Sequence, residues 1–264
     1  MAFLAAMMLS YMQERRAFLA FVGLMAQPPT RMAAMFTHDL ALVRVRQHQL
    51  RRAIEKCLPK VYASLVRFDV VESMWATHWV LTALAHSFPF AVVARLWDAF
   101  LCEGWKAVLR FCLAVLKVFA PELESSASFE ELVGTLGTMP QLLRSRLDDP
   151  EACSFLAGES SRGGPLTVDA IAEMAWEMPL VTSELDAWAE EGTRLVEEQR
   201  KKDQARKAEI DAKRAARAAS RKLPSEPVGA GAATAARHSA GTATGGANGG
   251  PARPLEGKAT AARG

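Results

Sequence analysis

An all-α fold is predicted by three observations on this 264-residue chain. Apolar residues recur at three- and four-residue steps through residues 1–147, the period of a helix with one buried face. No period-two alternation is sustained there, so strands have no support. Prolines at 28–29, 59, 89 and 121 punctuate the pattern where helices must stop or start, because proline cannot donate a backbone hydrogen bond. Beyond this bundle the sequence predicts a long charged helix and a disordered tail.

The elements follow in order. Phe3, Leu4, Met7, Met8 and Tyr11, continued by Phe18, Phe21, Val22 and Met25, place one helix or two closely joined ones over 1–26. No Ser, Thr, Asp or Asn caps the first turn, so the chain is expected to start inside a packed element of an incomplete domain. Met32, Met35, Phe36, Leu40 and Val43 predict a helix, and Leu50, Ile54, Leu58, Val61, Leu65 and Val66 the next, with a short turn at Pro59. Trp75, Trp79, Leu81, Leu84 and Ala85 predict one helix over 72–87. Helices over 90–102 and 105–119 flank Gly104, and Pro121, followed by SSAS and the acidic Glu130–Glu131, starts a further short helix through Leu136. GESSRGGP at 158–165 is a loop by composition, and Ile171, Met174, Ala175 and Met178 form a short amphipathic helix closed by Pro179. Residues 183–222 are a charged helix with too few apolar positions for a heptad seam. The Gly-, Pro- and Ala-rich remainder cannot bury enough apolar surface to offset its ordering entropy. The expected organisation is therefore a helical domain at 1–147, a short helical extension with a loop at 148–182, the charged helix at 183–222 and a disordered tail at 223–264.

Charge is unevenly distributed. Residues 1–200 hold 19 Lys and Arg against 24 Asp and Glu, whereas 201–264 hold 13 against 5, so a mildly acidic body carries a basic end. Such an end suits an anionic surface. Residues 201–222 lack the interleaved aromatics that stack on bases, which argues against specific nucleic-acid binding. Cys57, Cys102, Cys112 and Cys153 show no CxxC pairing, pointing to a reducing compartment; Cys102 and Cys112 read as small hydrophobes in apolar helices. The apolar start has no positive region before it, unlike a secretory signal, and the run at 107–119 falls short of a membrane span. His38, His48, His78 and His86 have no metal-ligand spacing, and no Gly-rich phosphate loop occurs, so no cofactor is expected.

The most specific stretch is FPFAVVARLWDAFLCEGW at 88–105, a P-x5-R-x-W-D-x5-G pattern made by Pro89, Arg95, Trp97, Asp98 and Gly104. It resembles a motif of TBC domains, helical modules that stimulate GTP hydrolysis by Rab-type GTPases. Three further blocks are similar in order and spacing: residues 1–25, His48-Gln49-Leu50 with Leu58-Pro59, and Trp75-Ala76-Thr77-His78-Trp79. The resemblance covers about 1–140 and implies a multi-helix orthogonal bundle like the C-terminal half of a TBC domain. It also implies a GTP-bound Rab-type small GTPase as partner and a cytoplasmic location, peripheral at endomembranes; separately, the charge of residues 201–222 suits an anionic membrane surface.

Members of the family supply an arginine finger from IxxDxxR and a glutamine from YxQ, and such a finger is worth about 10³–10⁵ in rate. The resemblance places both before residue 1. Val66-x-x-Asp69-x-x-Glu72 has the first spacing, but an acid stands where a cation is needed; Tyr11-Met12-Gln13 has the letters of the second, but Glu14 replaces its glycine. The chain is therefore expected to be inactive by itself, with no catalytic residue. Trp75, His78, Trp79, Pro89, Arg95, Trp97, Asp98 and Gly104 then serve either the frame or the GTPase contact. Arg95 and Asp98, three apart on a helix, can pair with each other or with neighbouring helices. The alternative function is a non-catalytic GTPase-binding or scaffold protein on a degenerate TBC domain; coding sequence ahead of Met1 separates the two. A helical domain missing its front half would also bare apolar surface, favouring aggregation or pairing with another chain.

Overall fold

Eleven α-helices and two short 3₁₀ turns make up the described residues of the structure, a computed structural model that describes 1–148 and 166–221, with side chains to 215. The expected loop at 158–165 and tail at 223–264 lie outside them. No strand occurs among the described residues. One compact unit covers Met1–Lys213; of the other, Arg214–Gly264, the described residues continue the last helix.

The centre is α6 (Phe90–Glu103) and α7 (Trp105–Val118), joined by Gly104 alone. In α7 every residue but Lys106, Arg110 and Lys117 is buried, so neighbours cover it nearly all round. α6 contributes Val92, Val93, Leu96, Trp97 and Phe100 to the same core. α10 (Val168–Glu177) packs on both, burying Ile171, Ala172 and Ala175. Thr167 caps it, its hydroxyl accepting from the Ala170 N–H at 3.1 Å. Cys112 lies in this core, and burial pushes its thiol up to about 12; Cys102 is exposed, not packed as expected.

Around this centre residues 1–26 are the two closely joined helices that the spacing allowed, α1 (Ala2–Tyr11) and α2 (Glu14–Ala26), separated where Met12 and Gln13 are extended. Three other expectations need correction. Residues 31–43 are not one helix: a 3₁₀ turn (Met32–Phe36) ends in the polar Thr37-His38-Asp39, and Leu40 has φ 50° before α3 (Ala41–Cys57) begins. Asp39 side-chain oxygen accepts from the Ala41 N–H, a local bond that competes with a continuous helix. α4 (Pro59–Arg67) follows, with Pro59 at its first position as the turn there requires.

Residues 72–87 hold only a 3₁₀ turn (Glu72–Met74) and the short α5 (Thr77–Leu81). The Leu84 N–H returns to the Trp79 carbonyl and Ala83 to Val80, while Ala83 and Leu84 have φ 44° and 66°. This is a helix stop of the Schellman kind made without glycine. The same bonds close α4, with Asp69 at φ 53°. After α8 (Ala120–Ser125), α9 (Phe129–Asp148) runs well past Leu136 despite an internal Pro140. Burial of Leu136, Met139, Pro140 and Leu143 on one stripe offsets the missing hydrogen bond.

α11 (Thr182–Arg221) runs antiparallel to α3 over its first turns. Lys56 pairs with Glu184 at 2.6 Å, Gln49 donates to the Leu185 carbonyl at 2.6 Å, and His48 lies 3.2 Å from Glu191. Gly192 allows the approach: a Cβ there would stand 3.3 Å from His48 and Val45. From Glu197 to Lys213 every residue is exposed.

Two outcomes are expected. Gly104 has φ 68°, and an added Cβ would meet the Pro29 Cβ at 2.8 Å, so Gly104→Ala should lose at least about 1–3 kcal/mol in urea unfolding from strain alone. Gly134→Ala, in open space on α9, should gain about 0.5–1 kcal/mol. Separately, Glu184 is held below the usual carboxylate range first by the hydrogen bond from Lys56, and Glu191 first by that from His48. A depressed carboxylate stabilises above its unfolded value and loses that contribution as pH falls through its folded value. Acidification from about pH 5 to about pH 3 should therefore loosen α11. The check is amide exchange over 184–196, corrected for its intrinsic rate, rising before that of α7.

Candidate functional site

The sequence-singled residues collect on α5, the turn after it, and the α6–α7 corner. Two indoles make the frame. Trp97, 4 % exposed, donates from Nε1 to the Ala83 carbonyl at 3.1 Å, tying α6 to the left-handed turn after α5. Trp105 donates to the Thr30 carbonyl at 3.0 Å, and the Thr30 hydroxyl donates to the Leu24 carbonyl at 2.7 Å. The Arg46 guanidinium lies 5.0 Å over the Trp105 ring. Burial first of all pushes Arg46 down to about 10, with Asp186 opposing.

Pro89 is buried and opens α6. Trp75 and Trp79 meet edge to face at 4.9 Å, and Trp79 meets Phe88 at 4.7 Å in the same manner, so all three rings are packing. The Trp75 Nε1 has no protein partner. Gly104 closes the corner against Pro29.

The polar members lie outside. Arg95 donates from Nε and Nη2 to one Asp169 oxygen, at 3.2 and 2.9 Å, joining α6 to α10. It does not pair with Asp98, which is exposed on the same helix. His78 is exposed and stacks on His86 at 5.3 Å, while His86 takes the edge of Phe3 at 4.5 Å. Tyr11 stacks on the exposed Phe90 at 6.0 Å. The surface beside the corner is therefore aromatic and imidazole-rich. Sequence reading missed His86 because a predicted helix over 72–87 gives it a different direction; its i+8 offset from His78 carried no signal.

Neither finger look-alike has the required chemistry. Glu72 is 6 % exposed and lies 3.3 Å from Arg51, and burial pushes its carboxyl up despite that partner. Gln13 is the exposed N-cap residue of α2, and Tyr11 is engaged with Phe90. No group of three metal-ligating side chains occurs among the described residues.

The two indole bonds and the Arg95 pair should differ in worth. Trp97→Phe leaves the buried Ala83 carbonyl unpaired and should lose about 1–3 kcal/mol. Arg95→Ala breaks a pair whose side chains are 55 % and 73 % exposed and should lose less than about 1 kcal/mol. Urea unfolding of the two variants checks the order.

Comparison with known proteins bears on this geometry. Residues 1–124 match the family model described as Rab-GTPase-TBC domain. The human "Ecotropic viral integration site 5 protein homolog" is 31 % identical over 122 residues, covering 46 % of this chain and 15 % of that protein. The mouse "Small G protein signaling modulator 3" is 30 % identical over 168 residues, 63 % of this chain and 21 % of its own length. The "GTPase-activating protein GYP5" of Eremothecium gossypii is 30 % identical over 117 residues, 44 % and 14 % respectively. The chain thus spans about a fifth or less of the length of these relatives.

Proposed function

We infer, from the match of residues 1–124 to the Rab-GTPase-TBC domain model, that this chain carries a GTPase-binding surface of an activator of Rab-type small GTPases in membrane traffic. The observation that carries the reading is the corner itself: Pro89, Trp97 and Gly104, inside the matched segment, brace α5, α6 and α7 so that one aromatic face stays open.

On this reading the motif residues divide by environment. Trp75, Trp79, Pro89, Trp97 and Gly104 hold the frame, Arg95 holds α10, and the exposed His78 and Asp98 face the GTPase. Hydrolysis needs a cation for the charge building on phosphate oxygens and a group that orients water. Glu72 and Gln13 supply neither, so this chain binds the GTP-bound GTPase without accelerating its reaction. No helix among the described residues is long and apolar enough to cross a membrane. Attachment to endomembranes, on the cytoplasmic side, is then peripheral, through the basic residues of 201–222 on anionic lipid.

The test uses this chain against a panel of Rab-type GTPases, with binding and single-turnover hydrolysis measured together. The expected result is preference for the GTP-analogue-loaded form over the GDP form, an unchanged hydrolysis rate, and about tenfold weaker binding by Asp98→Arg or His78→Ala. Accelerated hydrolysis would show that a finger is present in this chain. Failure to bind any member would remove the GTPase as partner.

A further inference from the structure

We propose that Gln49 and Arg46 form a relay through which the seating of α11 sets the tightness of the α6–α7 corner. Both are positioning residues, acting through Trp105. Gln49 is 2 % exposed and uses both ends of its amide. Its Nε2 donates to the Leu185 carbonyl of α11 at 2.6 Å, and its Oε1 accepts from Arg46 Nη1 at 2.7 Å. Chemistry forces that orientation, since a carbonyl can only accept and a guanidinium can only donate. One planar group therefore meets α11 on one side and holds Arg46 on the other. Arg46 in turn lies over the Trp105 ring, and the Trp105 indole holds the Thr30 carbonyl.

The relay carries free energy because its middle member has nothing to spare. Burial opposes the charge on Arg46, the Asp186 carboxylate of α11 offsets that burial, and Arg46 Nε has no protein partner. When the first turns of α11 lift, Gln49 loses its acceptor and Arg46 loses the Asp186 charge in the same event. A buried cation stripped of a partner is driven toward water, and the ring it covered opens with it. Lifting itself costs little. Lys56 pairs with Glu184, and Glu191 with His48 and Arg52; all of these side chains but His48 are more than a third exposed, and pairs of that kind contribute little. The start of α11, docked or lifted, is thus a two-state element that the corner senses. The corner braces the face assigned above to a GTPase, so holding or lifting α11 changes GTPase affinity; that consequence rests on the reading above, whereas the relay does not.

Hydrogen exchange by NMR on the whole chain, with no GTPase present, tests the relay. Glu184→Lys together with Glu191→Lys sets like charges against Lys56 and Arg52 without altering Gln49 or Arg46. Exchange over 184–196 should rise, and the Trp105 indole N–H should exchange about 5-fold faster or more, the size of an ordinary coupling. The interior amides of α7 should keep their protection. In an Arg46→Met background, where an apolar stem still covers the ring, the same two reversals should leave the indole unchanged. Gln49→Glu gives Arg46 a stronger acceptor but has nothing to donate to Leu185, so exchange over 184–196 should rise with the indole still protected. All variants should keep wild-type helicity by circular dichroism. An α11 unmoved by the reversals, an indole indifferent to a lifted α11, one equally loosened in the Arg46→Met background, or one loosened by Gln49→Glu would each overturn the proposal.

Discussion

The contact between Gly104 and Pro29 is the constraint on which the arrangement depends. Any side chain at 104 would collide with Pro29, and Gly104 also takes a φ of 68° that other residues resist. Because α6 and α7 are joined by this residue alone, its conformation sets the angle between the two most buried helices. Trp105, the next residue, turns the steric contact into a bonded one by donating to Thr30. Thr30 passes it to Leu24 in α2, and Arg46 brings in α3. One corner therefore fixes four helices from different parts of the chain.

Energetics explain why the motif splits into two kinds of residue. A buried indole N–H bonded to a carbonyl is costly to lose, because its partner is left without water. An exposed carboxylate pair exchanges one set of partners for water at little cost. Trp97 and Trp105 therefore determine geometry, whereas Arg95 with Asp169 holds α10 loosely from outside. A frame of this kind lets surface positions such as His78 and Asp98 change without disturbing the bundle.

The legible part of the fold is the part whose signals are local. α6, α7 and α10 follow from apolar spacing and from Pro89, Gly104 and Pro179, which act on their own neighbours. Two misread boundaries share one cause: Leu40, and Ala83 with Leu84, adopt left-handed φ values where the expected stop is glycine. Tertiary contacts hold at least one of those stops, since the Trp97 indole grips the Ala83 carbonyl. Pro140 errs in the other direction, its local penalty outweighed by burial of its stripe. At the site, the eight residues were visible as a pattern, but Arg95's partner 74 positions away and Gly104's neighbour at 29 were not. Spacing reports the period of a face, not what lies against it.

Charge order in α11 supplies information that its weak apolar stripe cannot. Among its described residues, Leu185, Trp188 and Val196 are the only large apolar side chains set into the body, too few to fix a direction. The acids among them do so. Glu184, Asp186 and Glu191 lie toward Lys56, Arg46, and His48 with Arg52, on a helix whose charges are nearly all positive. A helix laid the other way would bring Lys201, Lys202 and Arg206 onto those same cations, and like charges at such contacts are disfavoured. Polarity along the sequence thus selects the antiparallel arrangement, and the residues from Lys201 to Lys213 that follow are all exposed.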